Sequence, residues 1–149
     1  MRIGEICIRD VVCADRSTSV QDAARLMRSH HVGNVVVIEN RAAGRIPVGI
    51  VTDRDIAVGV VASGIDAPQL TVEDIMGSEL ITASEDQGAF ETVEQMARSG
   101  VRRLPVVDRR GLLVGIVTVD DLVEFLTMHL SELSKALARE RRKEIEARP

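Results

Sequence analysis

Two four-residue motifs in this chain carry side chains able to do chemistry: Thr52-Asp53-Arg54-Asp55 and Thr118-Val119-Asp120-Asp121. Each follows a Gly-Ile-Val run, at Gly49-Ile50-Val51 and Gly115-Ile116-Val117, and each opens a stretch of helical spacing. Thr-x-x-Asp is the spacing of a capping box: the hydroxyl takes the N3 amide and the acidic side chain reaches back to the cap amide. The same geometry can serve a ligand. A helix N-terminus offers free amides and partial positive charge to a phosphate. An ionised Asp only accepts hydrogen bonds, so it can hold both hydroxyls of a ribose. The Gly three residues before each Thr gives a ligand room to approach the backbone. Spacing alone leaves the cap and the ligand site both open.

The two motifs belong to a longer repeat. A shift of 66 residues carries Gly49 onto Gly115, and a shift of 69 carries Ile6 onto Ile75, Val20 onto Ala89, Met27 onto Met96 and Val32 onto Val101. Copy one therefore holds three extra residues, which fit in a turn over Glu39–Arg45, against the shorter Asp108–Gly111. Turns absorb such insertions at little cost. The repeat predicts one folded unit used twice, over about residues 3–62 and 72–130. Within a 149-residue chain this gives a paired module over 1–131 and a C-terminal helical extension over 132–149.

The elements that position the motifs follow from periodicity. Val11-Val12-Cys13-Ala14 is a short strand, Ser19 an N-cap with Asp22 as its box partner, and Val20, Ala23, Ala24 and Met27 one helical face. Val35–Ile38 and Val48–Val51 are buried strands, and Thr52 opens a helix to about Val61. Copy two repeats the order with Leu80-Ile81-Thr82, a helix over Gly88–Arg98, strands Leu104–Val107 and Leu113–Val117, and a helix from Asp120. Strand-helix-strand-strand-helix gives an α+β unit with helices on one face of a small sheet. A unit of about 60 residues has a marginal core alone, so the two copies are expected to pack sheet to sheet.

Cations suited to phosphate lie near the motifs. Arg102 and Arg103 stand at the entry to the central strand of copy two, where copy one has Gly33 and Asn34, and Arg98 precedes them on the helix. Arg can hold phosphate bidentately. Strand alternation points one of the pair away, which favours Arg103. Arg54 lies inside the first motif and is matched with the apolar Val119 of the second, so two clefts of unequal chemistry are expected.

Other classes of function find less support. His30 and His31 are adjacent, so on a helix they do not share a face, and no His, Cys or carboxylate set accompanies them; no metal site is expected. His129 falls in a helical pattern and is assigned a structural role. No nucleophile–base pair stands out, so no catalytic centre is expected. Cys7 falls opposite Met76 and Cys13 opposite Thr82, which suits two reduced thiols in a cytoplasmic protein. Net charge of −4 and only two aromatics, Phe90 and Phe125, argue against nucleic-acid binding. No apolar run approaches the roughly 20 residues of a membrane span, and the first residues lack a secretory pattern.

The order of elements, the strand Leu104-Pro105-Val106-Val107-Asp108 and the doubled Gly-Ile-Val-Thr-x-x-Asp turn resemble the CBS domain, a regulatory unit found mostly in tandem pairs. The resemblance covers about residues 3–130. It implies a pseudo-twofold pair with two clefts between the repeats, binding AMP, ADP, ATP or another adenosyl ligand, with no catalytic cofactor. It implies phosphate or ribose contacts for Thr52 and Thr118 and ribose contacts for Asp55 and Asp121. It also implies a basic residue facing phosphate, here Arg103, with Arg102 and Arg54 as further candidates. Cys13 and Thr82, equivalent positions on the first strand of each copy, complete the ligand-binding set. Copy one departs at Val35-Val36, where the family more often has an aliphatic-Pro pair.

Val119, Val123, Leu126, Leu130, Leu133 and Leu137 step by fours and threes, a heptad seam. It predicts a homodimer or contact with a regulated partner protein. The rival class is a ligand-free scaffold that uses this C-terminal helix, and a third is a redox or metal sensor built on Cys7 and Cys13.

Overall fold

The computed structural model describes residues 1–148, so Pro149, the last residue of the expected extension, lies outside them. Two three-stranded sheets form, each in the order first-second-third. In copy one β1 (Cys13–Asp15) runs parallel to β2 (Asn34–Arg41), which pairs antiparallel with β3 (Gly44–Thr52). Copy two repeats this with β4 (Ala83–Ser84), β5 (Arg103–Val107) and β6 (Leu113–Thr118). The helices are α1 (Ile3–Ile6), α2 (Val20–His30), a π-helix (Asp55–Val61), a 3-10 turn (Ala67–Gln69), α3 (Val72–Ile75), α4 (Ala89–Ser99) and α5 (Val119–Ala147). The expected two-layer order in each copy is found.

Alternation along the central strands builds three cores. Val35 and Val37 of β2 face Ala23 and Met27 of α2, and Leu104 and Val106 of β5 face Met96 of α4. Residues on the opposite face, Val36 and Ile38, meet Leu113 and Ile116 of the other sheet. The sheets thus pack on each other through one face and on helices through the other, burying both sides of each central strand.

The leading helix of each repeat docks on the other repeat. Ile3 and Cys7 of the α1 segment pack in the core of copy two, and Val72 of α3 in the core of copy one. The Ile3 amide donates to the Gln87 carbonyl (2.7 Å), and its counterpart, the Val72 amide, to the Thr18 carbonyl (2.9 Å). Bridges between Arg2 and Gly88 and between Ser19 and Thr71 complete the reciprocal pattern. These matched contacts define the pseudo-twofold. They also mean that each sequence repeat is completed by a helix from its neighbour, so the repeat is not a self-contained folded unit.

Several local expectations are corrected. The first strands begin later than the apolar runs suggest: Cys13–Asp15 and Ala83–Ser84, with Val11-Val12 and Leu80–Thr82 leading in. The three extra residues of copy one do not loop out. They lengthen the β2–β3 hairpin, where Arg41 pairs with Gly44 across a two-residue turn. Gly44 has φ of 140°, and a Cβ there would stand 3.2 Å from Leu112, so the longer hairpin reaches copy two. Ser19 caps α2 by accepting from the Asp22 amide, but the Asp22 carboxylate takes Arg25 instead of closing a box. The helix after Thr52 widens into π turns, with the Ala62 amide bonding to the Ala57 carbonyl. The Val36 departure has a structural effect. Its amide donates to the Val12 carbonyl (2.9 Å), a bond that Pro105 in the equivalent position of β5 cannot make.

Candidate functional site

Both Thr-x-x-Asp motifs form reciprocal boxes. The Thr52 amide donates to Asp55 Oδ2 (2.8 Å) and the Asp55 amide to Thr52 Oγ1 (3.1 Å). In copy two the Thr118 amide and hydroxyl both donate to Asp121 Oδ2 (2.7 Å each), and the Asp121 amide returns to Thr118 Oγ1 (3.2 Å). A third box, Thr71 with Asp74, starts α3. The same four-residue geometry therefore occurs where it only caps a helix. In all three boxes, the one at Asp74 included, the donors go to Oδ2 and Oδ1 has no protein donor among the described residues, so what sets the Thr118 box apart is its place beside the cleft between the repeats.

The glycines before the motifs do not open space for a ligand, as their spacing had suggested. A Cβ at Gly115 would lie 2.5 Å from Cys7 Sγ and 2.9 Å from the Ile8 carbonyl oxygen, and one at Gly49 would overlap the Met76 thioether. Cys7 and Met76 are equivalent residues, each leaving an exchanged helix. The glycines accept those crossing segments.

A cavity of about 230 Å³ lies where the repeats meet. Its apolar wall comes from Ile8, Val11, Val12, Val32 and Ile116, and its polar rim from Asp10, Gly33, Asn34, Arg103, Thr118 and Asp120. The chain enters it by the crossing strand, where Ile8 and Ile116 exchange amide–carbonyl bonds of 2.9 Å. Of the sequence candidates the structure brings Thr118 and Arg103 together here. Arg103 is half-buried and its Nη1 donates to the Gly33 carbonyl (3.1 Å) and to Asn34 Oδ1 (3.4 Å), spanning the pseudo-twofold.

The remaining candidates lie elsewhere. Arg54 and Asp55 line an outer groove of about 510 Å³ with Val58, Ile65, Leu70 and Asp74. Arg102 is exposed and has no side-chain partner among the described residues. Cys13 packs beside the sheet-to-sheet core, where Arg45 Nη1 donates to its sulfur (3.5 Å). The Thr82 carbonyl accepts from Gln95 Nε2 (3.0 Å) just before β4. Burial raises the thiol pKa of both Cys13 and Cys7, against the lowering effect of Arg45 and Arg9 respectively. Asp10 and Asp120 were not singled out from the sequence. The repeat register holds their signal: Asp10 matches Glu79, and Asp120, rather than Val119, is the counterpart of Arg54.

A duplicated α+β pair with a small cleft between its repeats defines the class of protein. The CBS domain model matches residues 3–61 and 72–128, and the chain belongs to that family. It is 37% identical over 112 residues to the CBS domain-containing protein YhcV of Bacillus subtilis, covering 75% of this chain and 76% of YhcV. It is also 37% identical over 122 residues to the uncharacterized protein MK0525 of Methanopyrus kandleri, covering 82% of this chain but only 61% of that protein. Among solved structures, the CBS domain pair of protein MJ0100 in complex with 5′-methylthioadenosine and S-adenosyl-L-methionine superposes with a TM-score of 0.74 at 27% identity. That match covers 87% of this chain and 98% of the other. No helix among the described residues is long and apolar enough to cross a membrane.

Proposed function

We propose that this chain is a non-catalytic cytoplasmic regulatory module that binds an adenosine-containing ligand between its CBS repeats and passes occupancy to a partner protein. The observation that carries this is the inter-repeat cavity: aliphatic walls on either side, and a Thr118–Asp121 box at its edge with a carboxylate oxygen to spare. Aliphatic side chains can sandwich a purine where no Tyr or Trp exists to stack on it. The volume of about 230 Å³ falls below the usual 300–1,000 Å³ of ligand pockets, which favours a nucleoside-sized occupant over a dinucleotide. The adenosyl compounds bound by the MJ0100 pair support the same class of ligand. Thr52, Asp55, Thr118 and Asp121 are the proposed ribose and phosphate contacts.

The test is isothermal titration calorimetry of the full chain with adenosine, 5′-methylthioadenosine, S-adenosyl-L-methionine, AMP and ATP. Asp121→Ala should cost about 1.5–3 kcal/mol of binding through loss of hydrogen bonds to a charged acceptor. Melting temperature recorded alongside separates this from uncapping α5. Absence of heat with all five ligands refutes the proposal.

The module is further proposed to work as a homodimer joined through α5. Leu130, Leu133 and Leu137 stand 63–68% exposed on a helix that runs unbroken to Ala147. The stripe continues into a groove between α4 and α5 lined by Val93, Met96, Val123 and Leu126. A twofold pairing of α5 helices covers such a patch. Sedimentation equilibrium should give a dimer for the full chain and a weakened one after truncation at Ser131. A chain that stays monomeric at high micromolar concentration, with and without ligand, rules the dimer out.

A further inference from the structure

The Thr118 cleft carries more acid than a phosphate site should. Asp10 and Asp120 both line it, and neither makes a salt bridge or a side-chain hydrogen bond among the described residues. Asp121 adds a third carboxylate one residue further along. The only cation in the lining is Arg103, whose Nη1 donates to two neutral acceptors, the Gly33 carbonyl and Asn34 Oδ1, so one guanidinium charge stands against the two acids. The amides at the start of α5 are also committed in part, since the Asp121 amide bonds to Thr118 Oγ1.

The pseudo-twofold supplies an internal contrast. Moved onto the Thr52 side, Asp10 becomes Glu79, Asp120 becomes Arg54, Gly33 becomes Arg102 and Asn34 becomes Arg103. Across the pseudo-twofold one position reverses its charge, Asp120 against Arg54, the acid at Asp10 is kept as Glu79, and the neutral Gly33 and Asn34 stand where the other half has Arg102 and Arg103. Arg54 and Arg102 have no ion-pair partner among the described residues, so their charge is not neutralised within the chain.

Resting on the adenosyl reading above, we infer that the Thr118 cleft selects adenosyl ligands whose 5′ substituent is neutral or cationic, a thioether or a sulfonium, and turns away 5′-phosphates. An aliphatic wall accepts the purine of either kind of ligand. A phosphate brought against two unpaired carboxylates at the exposed rim of the cleft meets like charge, whereas a sulfonium meets opposite charge. The preference is therefore set at the 5′ end.

The experiment is calorimetry on the full chain carrying Arg54→Ala and Arg102→Ala, which removes the unpaired cations at the equivalent positions of the other half. Titrants are 5′-methylthioadenosine, S-adenosyl-L-methionine, AMP and ATP, at low and high salt. The expected result is that both sulfur compounds bind at least about tenfold tighter than AMP, with the gap narrowing as salt screens the repulsion. Adding Asp120→Asn should raise AMP affinity relative to 5′-methylthioadenosine several-fold, an isosteric change that removes charge while keeping shape. AMP or ATP binding as tightly as the sulfur compounds, or an affinity ratio unmoved by Asp120→Asn, overturns the inference while leaving adenosyl binding intact. No heat from any titrant in either the original chain or the variants overturns both.

Discussion

After Thr52 and after Thr118 the chain makes the same reciprocal box and then does two different things. Copy one continues into a seven-residue π-helix ending at Val61. Copy two continues into a regular α-helix of 29 residues. The following sequences account for this. Ile56, Val58, Val60 and Val61 are β-branched and Gly59 sits among them, all weak helix formers, while Leu122, Leu126, Leu130, Leu133 and Leu137 favour a regular helix. The box sets how a helix starts and has no hold on how far it runs. The charge pattern diverges in the same way, with Arg54 in one motif where Asp120 stands in the other. Duplication preserved the frame, and single substitutions within it made two unlike sites.

The sharpest test of the frame is its paired glycines. Gly115→Ala places a methyl against Cys7 Sγ and against the Ile8 carbonyl, which is held to Ile116 in the crossing strand. Gly49→Ala meets the side chain of Met76, which is unbranched and adaptable. Overpacking of this kind costs about 1–3 kcal/mol. Gly115→Ala should lie at the upper end and Gly49→Ala at the lower, measured as urea midpoints at constant m-value. Equal midpoints would mean the two crossing segments yield alike, and a neutral Gly115→Ala would refute the glycine's role in accepting α1.

Much of this frame was legible in the sequence because it rests on local patterns. The three-residue insertion, the paired apolar strands and the helical faces of Val20–Met27 and its counterpart are all short-range signals, and each maps to an observed element. The exchange of α1 and α3 was not legible. Those helices are four residues long, and what places them is contact with residues far along the chain, such as Ile3 with Gln87, 84 positions away, and Val72 with Thr18, 54 positions away. The glycines were misread for the same reason, since nothing local announces that Cys7 and Met76 fill the space beside them. Of the site, the sequence named Thr118 and Arg103, which line the cavity. It passed over Asp10 and Asp120, because both are exposed acids near a turn and only the fold brings them to the rim of one cleft.

The second comparison is between the two caps themselves. Thr118→Ala removes the hydroxyl that takes the Asp121 amide and also bonds its carboxylate, at the head of a long helix that covers copy two. Thr52→Ala removes one bond, to the Asp55 amide, ahead of a short and largely exposed helix. Loss of a Thr cap is worth about 1 kcal/mol, and Thr118→Ala should be the costlier of the pair. Thermal melting of both variants decides it. A larger loss at Thr52 would mean the π-helix contributes more to copy one than its exposure suggests.

The smallest effect expected concerns the exchanged helices, and it is read from how stability changes with pH. Asp74 Oδ2 accepts from the Thr71 amide (2.8 Å) and the Thr71 hydroxyl (3.0 Å) at the start of α3. These bonds, the backbone one foremost, hold the Asp74 carboxyl below its ordinary pKa. Its folded pKa is therefore lower than its unfolded one. The stability it contributes is present above the unfolded value, near 3.9, and is lost as pH falls through the folded value. The equivalent residue on α1 is Glu5, whose carboxylate accepts from the Arg2 amide (2.8 Å) and from no other donor among the described residues. Asp74→Asn should thus flatten the fall in stability below about pH 4 more than Glu5→Gln does, with both variants slightly less stable than the parent at pH 7. Denaturant titrations from pH 7 down to pH 3 follow the difference. Parallel pH profiles for Asp74→Asn and the parent would show that the Thr71 bonds do not discriminate between the two protonation states, and that α3 is held by the burial of Val72 alone.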